Sequence, residues 1–174
     1  MKRRSKAELR LVSELIKNCR RSDRELARII GVSQPTVTRS RLSVEREGLV
    51  DYTAVPNFGK LGFEIMVFSF YSWRPEANEK LVKNSDTIMR KLSEFLKDHK
   101  NIIFTSNGQG LGMERMMISV HKSYGSYVKL MRDVRQEWGE YLSSTNSFII
   151  SFKGDIVGRE LSFRHFADFL LTEH

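Results

Sequence analysis

The spacing of apolar residues predicts two helices in the first thirty residues of the chain. In the first helix, over 7–18, apolar side chains recur at steps of three and four residues: Leu9, Val12, Leu15 and Ile16. The second helix begins after Ser22, which has with Glu25 the spacing of a capping box. This helix ends at Gly31, because glycine readily takes the left-handed conformation found just beyond many helices.

A third helix follows closely, and the pair of helices over 22–50 has the layout of a helix-turn-helix. Ser33 can cap the third helix, and Pro35 is tolerated in its first turn. Val37 and Val44 lie on one face of it. A helix-turn-helix lays the start of its second helix in the major groove of DNA. The pattern therefore favours DNA binding over the alternative, an ordinary packed helical hairpin.

Polar side chains at the start of this helix are the candidate DNA contacts. Glutamine and arginine can form paired hydrogen bonds with base edges, and threonine offers a hydroxyl or a methyl group. With Ser33 as the cap, we expect contacts at or near the bases from four residues: Gln34, Thr36, Thr38 and Arg39. Four arginines are candidates for phosphate contacts: Arg24, Arg28, Arg41 and Arg46.

The second half of the chain shows the order β-α-β-β-α-β. The strands are predicted over 65–73, 102–106, 113–120 and 148–152, and the helices over 76–99 and 123–142, with a glycine-rich turn over 107–112. This order is typical of a ferredoxin-like domain, a four-stranded antiparallel sheet with both helices on one face. The other face would carry Phe68, Phe70 and the methionines of the third strand, and an uncovered apolar face predicts self-association.

The predicted fold class is α+β, divided into four segments. Residues 1–50 form a winged-helix-like helix-turn-helix domain, and residues 51–62 an extended linker with a proline and two glycines. Residues 63–153 form the ferredoxin-like domain. Residues 154–174 form a helical tail, which we expect to pack against the sheet or against a neighbouring subunit.

The net charge of +8 is concentrated in the first of these segments. Residues 1–50 hold 13 Lys and Arg against 6 Asp and Glu, whereas residues 51–174 hold 16 against 15. Because Lys and Arg neutralise phosphates, this asymmetry favours double-stranded DNA as the partner, with RNA or anionic lipid as alternatives. No apolar run approaches the roughly 20 residues that span a bilayer. The single Cys19 permits no internal disulfide, which indicates a reducing, cytoplasmic setting.

The basic helix-turn-helix, the short linker and the βαββαβ domain together resemble the Lrp/AsnC family of transcription regulators. The matching residues lie in the first domain and the linker: Asp23-Arg24-Glu25-Leu26-Ala27, Gly31-Val32-Ser33, Thr36-Val37-Thr38-Arg39, Glu45-Arg46-Glu47-Gly48-Leu49-Val50, Tyr52-Thr53-Ala54 and Lys60-Leu61-Gly62. The resemblance covers about residues 6–153. It implies a regulator that dimerises through its C-terminal sheets, assembles further into tetramers or octamers, and binds an amino acid at a subunit interface.

The sequence departs from the family pattern in three places, and the third of these is a tail after Lys153 that is longer than usual. Positions that usually read apolar then basic are Arg41 and Leu42 here. On a helical wheel Arg41 falls on the buried side, so either the helix is rotated locally or the arginine stem extends outward to water. The second place is the turn of the second domain, which has three glycines and lacks the usual aspartate. The resemblance implies effector contacts there from six residues: Asn107, Gly108, Gln109, Gly110, Gly112 and Glu114.

Catalytic functions find little support in the residues. Sirohaem decarboxylases resemble the same architecture, but the tyrosine-asparagine-x-tryptophan-phenylalanine run expected in their third strand is missing from 113–120. The four histidines have no ligand-like spacing, so we expect no metal, no cofactor and no enzyme activity. The glycines at 108, 110 and 112 join two strands, which favours a hairpin turn over a phosphate cradle. A protein–protein module whose basic helices bind an acidic partner is the third alternative.

Overall fold

The computed structural model describes residues 4–77, 85–154 and 161–172. The helices are α1 (Lys6–Lys17), α2 (Asp23–Ile30), α3 (Gln34–Arg46), α4 (Ser85–Asp98), α5 (Tyr124–Trp138) and α6 (Arg164–Thr172). The strands are β1 (Ile65–Trp73), β2 (Ile102–Gly110), β3 (Met113–His121) and β4 (Leu142–Ser151). The chain divides into two compact units: Met1–Val55 with Val157–His174, here called the head, and Pro56–Ile156, here called the sheet domain.

Three helices build the core of the head. Capping boxes begin α1 and α2: the Ser5 hydroxyl accepts from the Glu8 backbone N–H, and that of Ser22 from Glu25. Gly31 ends α2 with a φ of 81°, a left-handed conformation that suits glycine. The buried side chains come from all three helices: Leu11, Leu15, Leu26, Ala27, Ile30, Val37 and Val44. The predicted helix-turn-helix is therefore confirmed.

The sheet domain has the predicted ferredoxin-like arrangement. Its four strands lie in the order β2-β3-β1-β4, and every neighbouring pair is antiparallel. Helices α4 and α5 pack on one face, where a core forms from Tyr71, Phe95, Met117, Leu130, Val134 and Trp138. The α+β prediction is confirmed. Part of the predicted helix over 76–99, with Leu81 and Val82, lies outside the described residues.

Two predicted element boundaries were wrong. The first error is at the glycine-rich segment, where residues 107–110 belong to β2 and the turn consists of Leu111 and Gly112. Both turn residues have positive φ, 54° and 70°, as a two-residue hairpin of type I′ requires.

The second error is at β4, which begins at Leu142 instead of 148, while α5 ends at Trp138. The start of β4 is polar and exposed on both faces, so it lacks the apolar alternation that identifies a strand. Its position is stabilised by hydroxyl contacts from Ser72 in β1 to Ser143 and Ser144, at 2.6 and 2.7 Å.

The face of the sheet opposite the helices, here called the outer face, carries a row of large apolar residues. Paired residues of the four strands form this row in the order Phe148, Phe68, Ile118 and Phe104. Phe148 is 65% exposed. Of the third-strand methionines, Met116 lies on this face beside Phe70, whereas Met117 belongs to the helix-side core. The expectation that the third-strand methionines all face outward is corrected accordingly, because side chains alternate along a strand.

Helix α6 lies against α1 within the head. Ala167 is fully buried there, and its carbonyl oxygen accepts a hydrogen bond from the buried Ser13 hydroxyl at 2.8 Å. Lys17 pairs with Asp168 at 2.8 Å. We expected this tail to pack against the sheet or a neighbouring subunit; small side chains at the contact instead let the two helices approach closely.

Candidate DNA interface

Helix α3 presents a polar, cationic side to the exterior. Val37 and Val44 are 2% and 1% exposed and hold its opposite side against the head core. The helix begins at Ser33, whose hydroxyl accepts from the Thr36 N–H at 3.4 Å and lies 2.8 Å from the Thr36 hydroxyl. Arg39 is among the exposed residues on the outward side.

A hydrogen-bonded cluster around Asp23 fixes α3 against α2. The Asp23 carboxylate accepts from the Thr38 hydroxyl and from the Arg41 guanidinium, each at 2.7 Å. Both bonds favour the charged carboxylate, so the hydrogen bond from Thr38 and then the Arg41 charge lower the pKa of Asp23. The first half of α3 is thus held against α2 by hydrogen bonds as well as by apolar packing.

Arg41 lies inside this cluster, although its sequence position suggested a phosphate contact. Its guanidinium donates to the backbone oxygen of Cys19 at 3.0 Å and to the Tyr52 hydroxyl at 3.4 Å. It also lies 3.5 Å from the Glu45 carboxylate. These contacts explain how an arginine occupies the buried side of the helix. They hold the beginning of the linker, through Tyr52, against α3.

Two kinds of cation can be distinguished in the head. Four are paired with carboxylates: Arg4 with Glu47, Lys17 and Arg21 with Glu14, and Arg41 with Asp23. Four others are exposed, and no carboxylate of the described residues lies within ion-pair distance of them: Arg24, Arg28, Arg39 and Arg46. The second group leaves its charge available to an external anion.

The predicted base contacts differ in how much of each side chain is available to a base. Gln34 is exposed, whereas Thr36 is half-buried beside the Ser33 cap. The Thr38 hydroxyl is committed to Asp23 and to the Gln34 carbonyl oxygen, which leaves only its methyl group free for a base.

Leu42 was not predicted as a contact, yet it is 61% exposed and follows Arg39 by three residues. The helical wheel had placed Leu42 outside, and an apolar side chain there can contact a thymine methyl group.

The predicted effector residues lie at the end of the β2–β3 hairpin. The strand register shifts between Asn107 and Gly110, which indicates a bulge at Gly108 and Gln109. The Glu114 carboxylate accepts from the Trp73 backbone N–H at 2.7 Å.

The structure adds two negative findings. No group of three or more His, Cys, Asp and Glu that could hold a metal occurs within the described residues. In the same part of the chain, no helix is long and apolar enough to cross a membrane.

The head and the sheet domain together define a class of two-domain DNA-binding regulators, in which a helix-turn-helix is joined to a ferredoxin-like domain. Residues 8–42 match the model of the AsnC-type helix-turn-helix domain. A relative in Pyrococcus furiosus, an uncharacterized HTH-type transcriptional regulator, is 24% identical over 92% of this chain and 99% of its own length. The chain therefore contains an AsnC-type helix-turn-helix domain and is similar, over most of its length, to a helix-turn-helix transcriptional regulator.

Solved structures share the fold at low sequence identity. A transcriptional regulator of Neisseria meningitidis, solved as a complex with L-Met, has a TM-score of 0.69 at 14% identity, covering 94% of this chain and 99% of that one. AsnC of E. coli has a TM-score of 0.64 at 15% identity over 92% and 99% of the two chains. LrpC of B. subtilis has a TM-score of 0.63 at 22% identity over 91% and 100%.

Proposed function

We propose that the protein is a sequence-specific regulator that binds its DNA operator as a dimer or a multiple of a dimer. The observation that carries this proposal is the outward side of α3, where the exposed Gln34, Arg39 and Arg46 have no carboxylate partner among the described residues. The Asp23 cluster preorganises this side before DNA is bound, which reduces the ordering cost of binding.

The contacts divide into base and phosphate contacts. Gln34 and Arg39 are the base readers with free polar groups, and Leu42 adds an apolar contact. Thr36 and Thr38 stay near-base candidates, with Ser33 as the cap. Arg24, Arg28 and Arg46 contact phosphates. Arg41 is a positioning residue in this account, because its guanidinium is held by Asp23.

Self-association is assigned to the outer face of the sheet domain. An exposed row of aromatic and branched side chains there supports pairing with a second copy, since such a surface is costly in water. A two-fold arrangement of heads requires a near-palindromic operator. Its half-sites should be separated by one helical turn, about 34–36 Å, or a multiple of that.

Regulation by a small molecule such as an amino acid is the last part of the proposal. The N. meningitidis regulator that shares this fold was solved with L-Met. In the present chain the bulge at Gly108 and Gln109, with Asn107, Gly110, Gly112 and Glu114 around it, is the corresponding candidate. Calorimetric titration with each of the amino acids tests this part of the proposal. The absence of a heat of binding with all of them would contradict it.

Selection of bound duplexes from a random pool, with the mass of the complex measured alongside, tests the proposal as a whole. We expect enrichment of a near-palindrome, a complex containing two chains or a multiple of two, and affinity that falls steeply with salt. A pool without enrichment would refute sequence-specific binding, and a monomeric complex would refute the assigned self-association.

A further inference from the structure

Between its sheet and its helices, the sheet domain contains a cleft lined almost entirely by apolar side chains. The cavity volume is about 40 Å³, which limits the interior to a compact group. Both tryptophans of the chain line the cleft, Trp73 and Trp138.

One cationic side chain, Arg115 of β3, also lines this cleft. Its Nε donates to the Thr105 hydroxyl, and its Nη1 to the Asn107 side-chain oxygen, both at 3.4 Å. These distances are longer than those of well-formed hydrogen bonds. Throughout the described ranges, no carboxylate lies within ion-pair distance of the guanidinium. The positive charge is therefore poorly compensated by the protein itself.

The surroundings of Arg115 make this lack of compensation costly. Burial lowers the pKa of Arg115, yet the side chain stays protonated at neutral pH. A half-buried charge without a counterion is unfavourable, so a ligand that supplies one would gain affinity from the interaction.

Tyr71 provides a second hydrogen-bond donor in the same cleft. The residue is 4% exposed, and burial raises the pKa of its hydroxyl, which remains neutral. That hydroxyl contacts the sulfur atoms of Met117 and Met131 at 3.9 and 4.0 Å. Thioether sulfur is a weak acceptor, so an oxygen acceptor on a ligand would be a better partner.

We propose that this cleft binds a small organic monocarboxylate with a compact apolar side group. The carboxylate pairs with Arg115, whose planar guanidinium can offer two parallel hydrogen bonds. The apolar group enters the cleft between the aromatic side chains. A single arginine neutralises one negative charge, which favours a monoanion over a phosphate or a dicarboxylate.

This inference rests on the proposed regulation by a small molecule and specifies the chemical class of that molecule. The site is formed within one sheet domain and depends on Arg115, whereas the candidate at the hairpin bulge depends on residues 107–114. Binding is measured here without DNA. A chain that binds the carboxylate but no duplex would refute only the proposed function.

Tryptophan emission of the full-length protein is a direct probe, because both tryptophans line the cleft. The ligands are 3-phenylpropanoate, 4-methylpentanoate, L-phenylalanine and L-leucine, each compared with its carboxamide. We expect at least one acid to shift the emission and raise the melting temperature, with its amide binding at least about tenfold more weakly. The affinities of the two amino acids are then compared with those of the two acids that lack an amino group. The tighter class identifies whether the ligand is an amino acid or a simple carboxylic acid.

Three variants test the role assigned to Arg115. Arg115→Met should weaken acid binding by about tenfold or more and leave the melting temperature unchanged or higher, because it removes a poorly compensated charge. Arg115→Lys keeps the charge without the planar fork and should bind with intermediate affinity. Arg132→Met removes an arginine that is 72% exposed on α5 and should bind as the wild type does.

Several results would overturn the inference. These are the absence of an emission shift with every acid, amides that bind as tightly as acids, and wild-type affinity in Arg115→Met. Loss of binding in Gln109→Ala with full binding in Arg115→Met would place the ligand at the hairpin bulge. An Arg115→Met chain that melts well below the wild type would show that the charge has a structural partner.

Discussion

The head and the sheet domain expose opposite kinds of surface. The head places aliphatic residues inside and exposes four arginines that have no carboxylate partner in the part of the chain that the structure describes: Arg24, Arg28, Arg39 and Arg46. The sheet domain, with 14 Lys and Arg against 11 Asp and Glu, leaves a row of large apolar residues uncovered on its outer face. The difference supports the proposal that the two units bind different partners. Free cations suit a polyanion, whereas an exposed apolar face suits a second protein surface.

Within the head, the same residue type serves two purposes. Arg41 and Arg39 are two residues apart on α3, yet one is enclosed by the Asp23 cluster and the other is exposed. A basic composition alone therefore overstates the surface available to DNA. The geometry of each guanidinium decides whether it stabilises the head or contacts a ligand.

The largest expected effect comes from a substitution that leaves a cavity in the core of the head. Leu26 is fully buried, so Leu26→Ala should cost about 2–5 kcal/mol of head stability and abolish DNA binding. Ile29 is 51% exposed on the same helix, and Ile29→Ala is the matched control. Chemical denaturation followed by circular dichroism measures both variants. If Leu26→Ala also abolished self-association, the separation of roles between the two units would be wrong.

Next in size is the loss of the buried arginine of α3. Arg41→Met leaves the Asp23 carboxylate with one partner fewer, and should lower head stability by about 1–3 kcal/mol. Arg39→Met should leave stability within about 0.5 kcal/mol, because the side chain is exposed. Thermal or urea unfolding distinguishes the two variants, and equal stability losses would contradict the assignment of Arg41 as a positioning residue.

A charge on the outer face should disrupt the sheet domain's association. Phe148→Lys places a cation in the apolar row and should raise the dimer dissociation constant at least about tenfold. Thr145→Lys, on the same strand but the other face, is the control. Sedimentation velocity across a concentration series measures both. Unchanged association in the Phe148 variant would move the interface elsewhere.

The smallest expected effect is a difference in acid sensitivity. Burial lowers the pKa of His121 from its ordinary 6.5 in the sheet domain, and hydrogen bonding lowers that of Asp23 from 3.8 in the head. In each case the unfolded chain binds the proton more readily, so folding stability is lost as the pH falls. The sheet domain should begin to lose stability below about pH 6.5, and the head only below about pH 4.

Unfolding curves at a series of pH values, read separately for the two units, check this order. His121→Asn should remove the dependence of the sheet domain above pH 5 while the head is unchanged. Stability of the sheet domain that stays constant from pH 7 to pH 5 in the wild type would contradict the prediction.

Sequence patterns sufficed where local chemistry decides the structure. The caps at Ser22 and Ser33 and the stop at Gly31 are local signals, and the helices begin and end where those signals place them. The exposed start of β4 has no apolar alternation, so only pairing with β1 identifies it as a strand. Contacts distant in sequence, such as Ser13 with Ala167, leave no periodic signal.

The candidate interface shows the same limit. The residue types predicted the polar character of the start of α3. They did not predict that the Thr38 hydroxyl and the Arg41 guanidinium donate hydrogen bonds to Asp23. Those two contacts join residues fifteen or more positions apart, and the helical wheel gave only a direction. The helical wheel did place Leu42 on the outward side of α3, but we interpreted this as a departure from the family pattern and not as a DNA contact.

The most direct measurement is the affinity of the wild type and of Arg39→Ala for the selected operator and for operators substituted at single base pairs. We predict that the wild type prefers the operator, and that Arg39→Ala loses about 1–3 kcal/mol together with its preference at one base position. Wild-type affinity that is equal for the operator and a scrambled duplex of the same length would contradict the claim that the head reads DNA sequence.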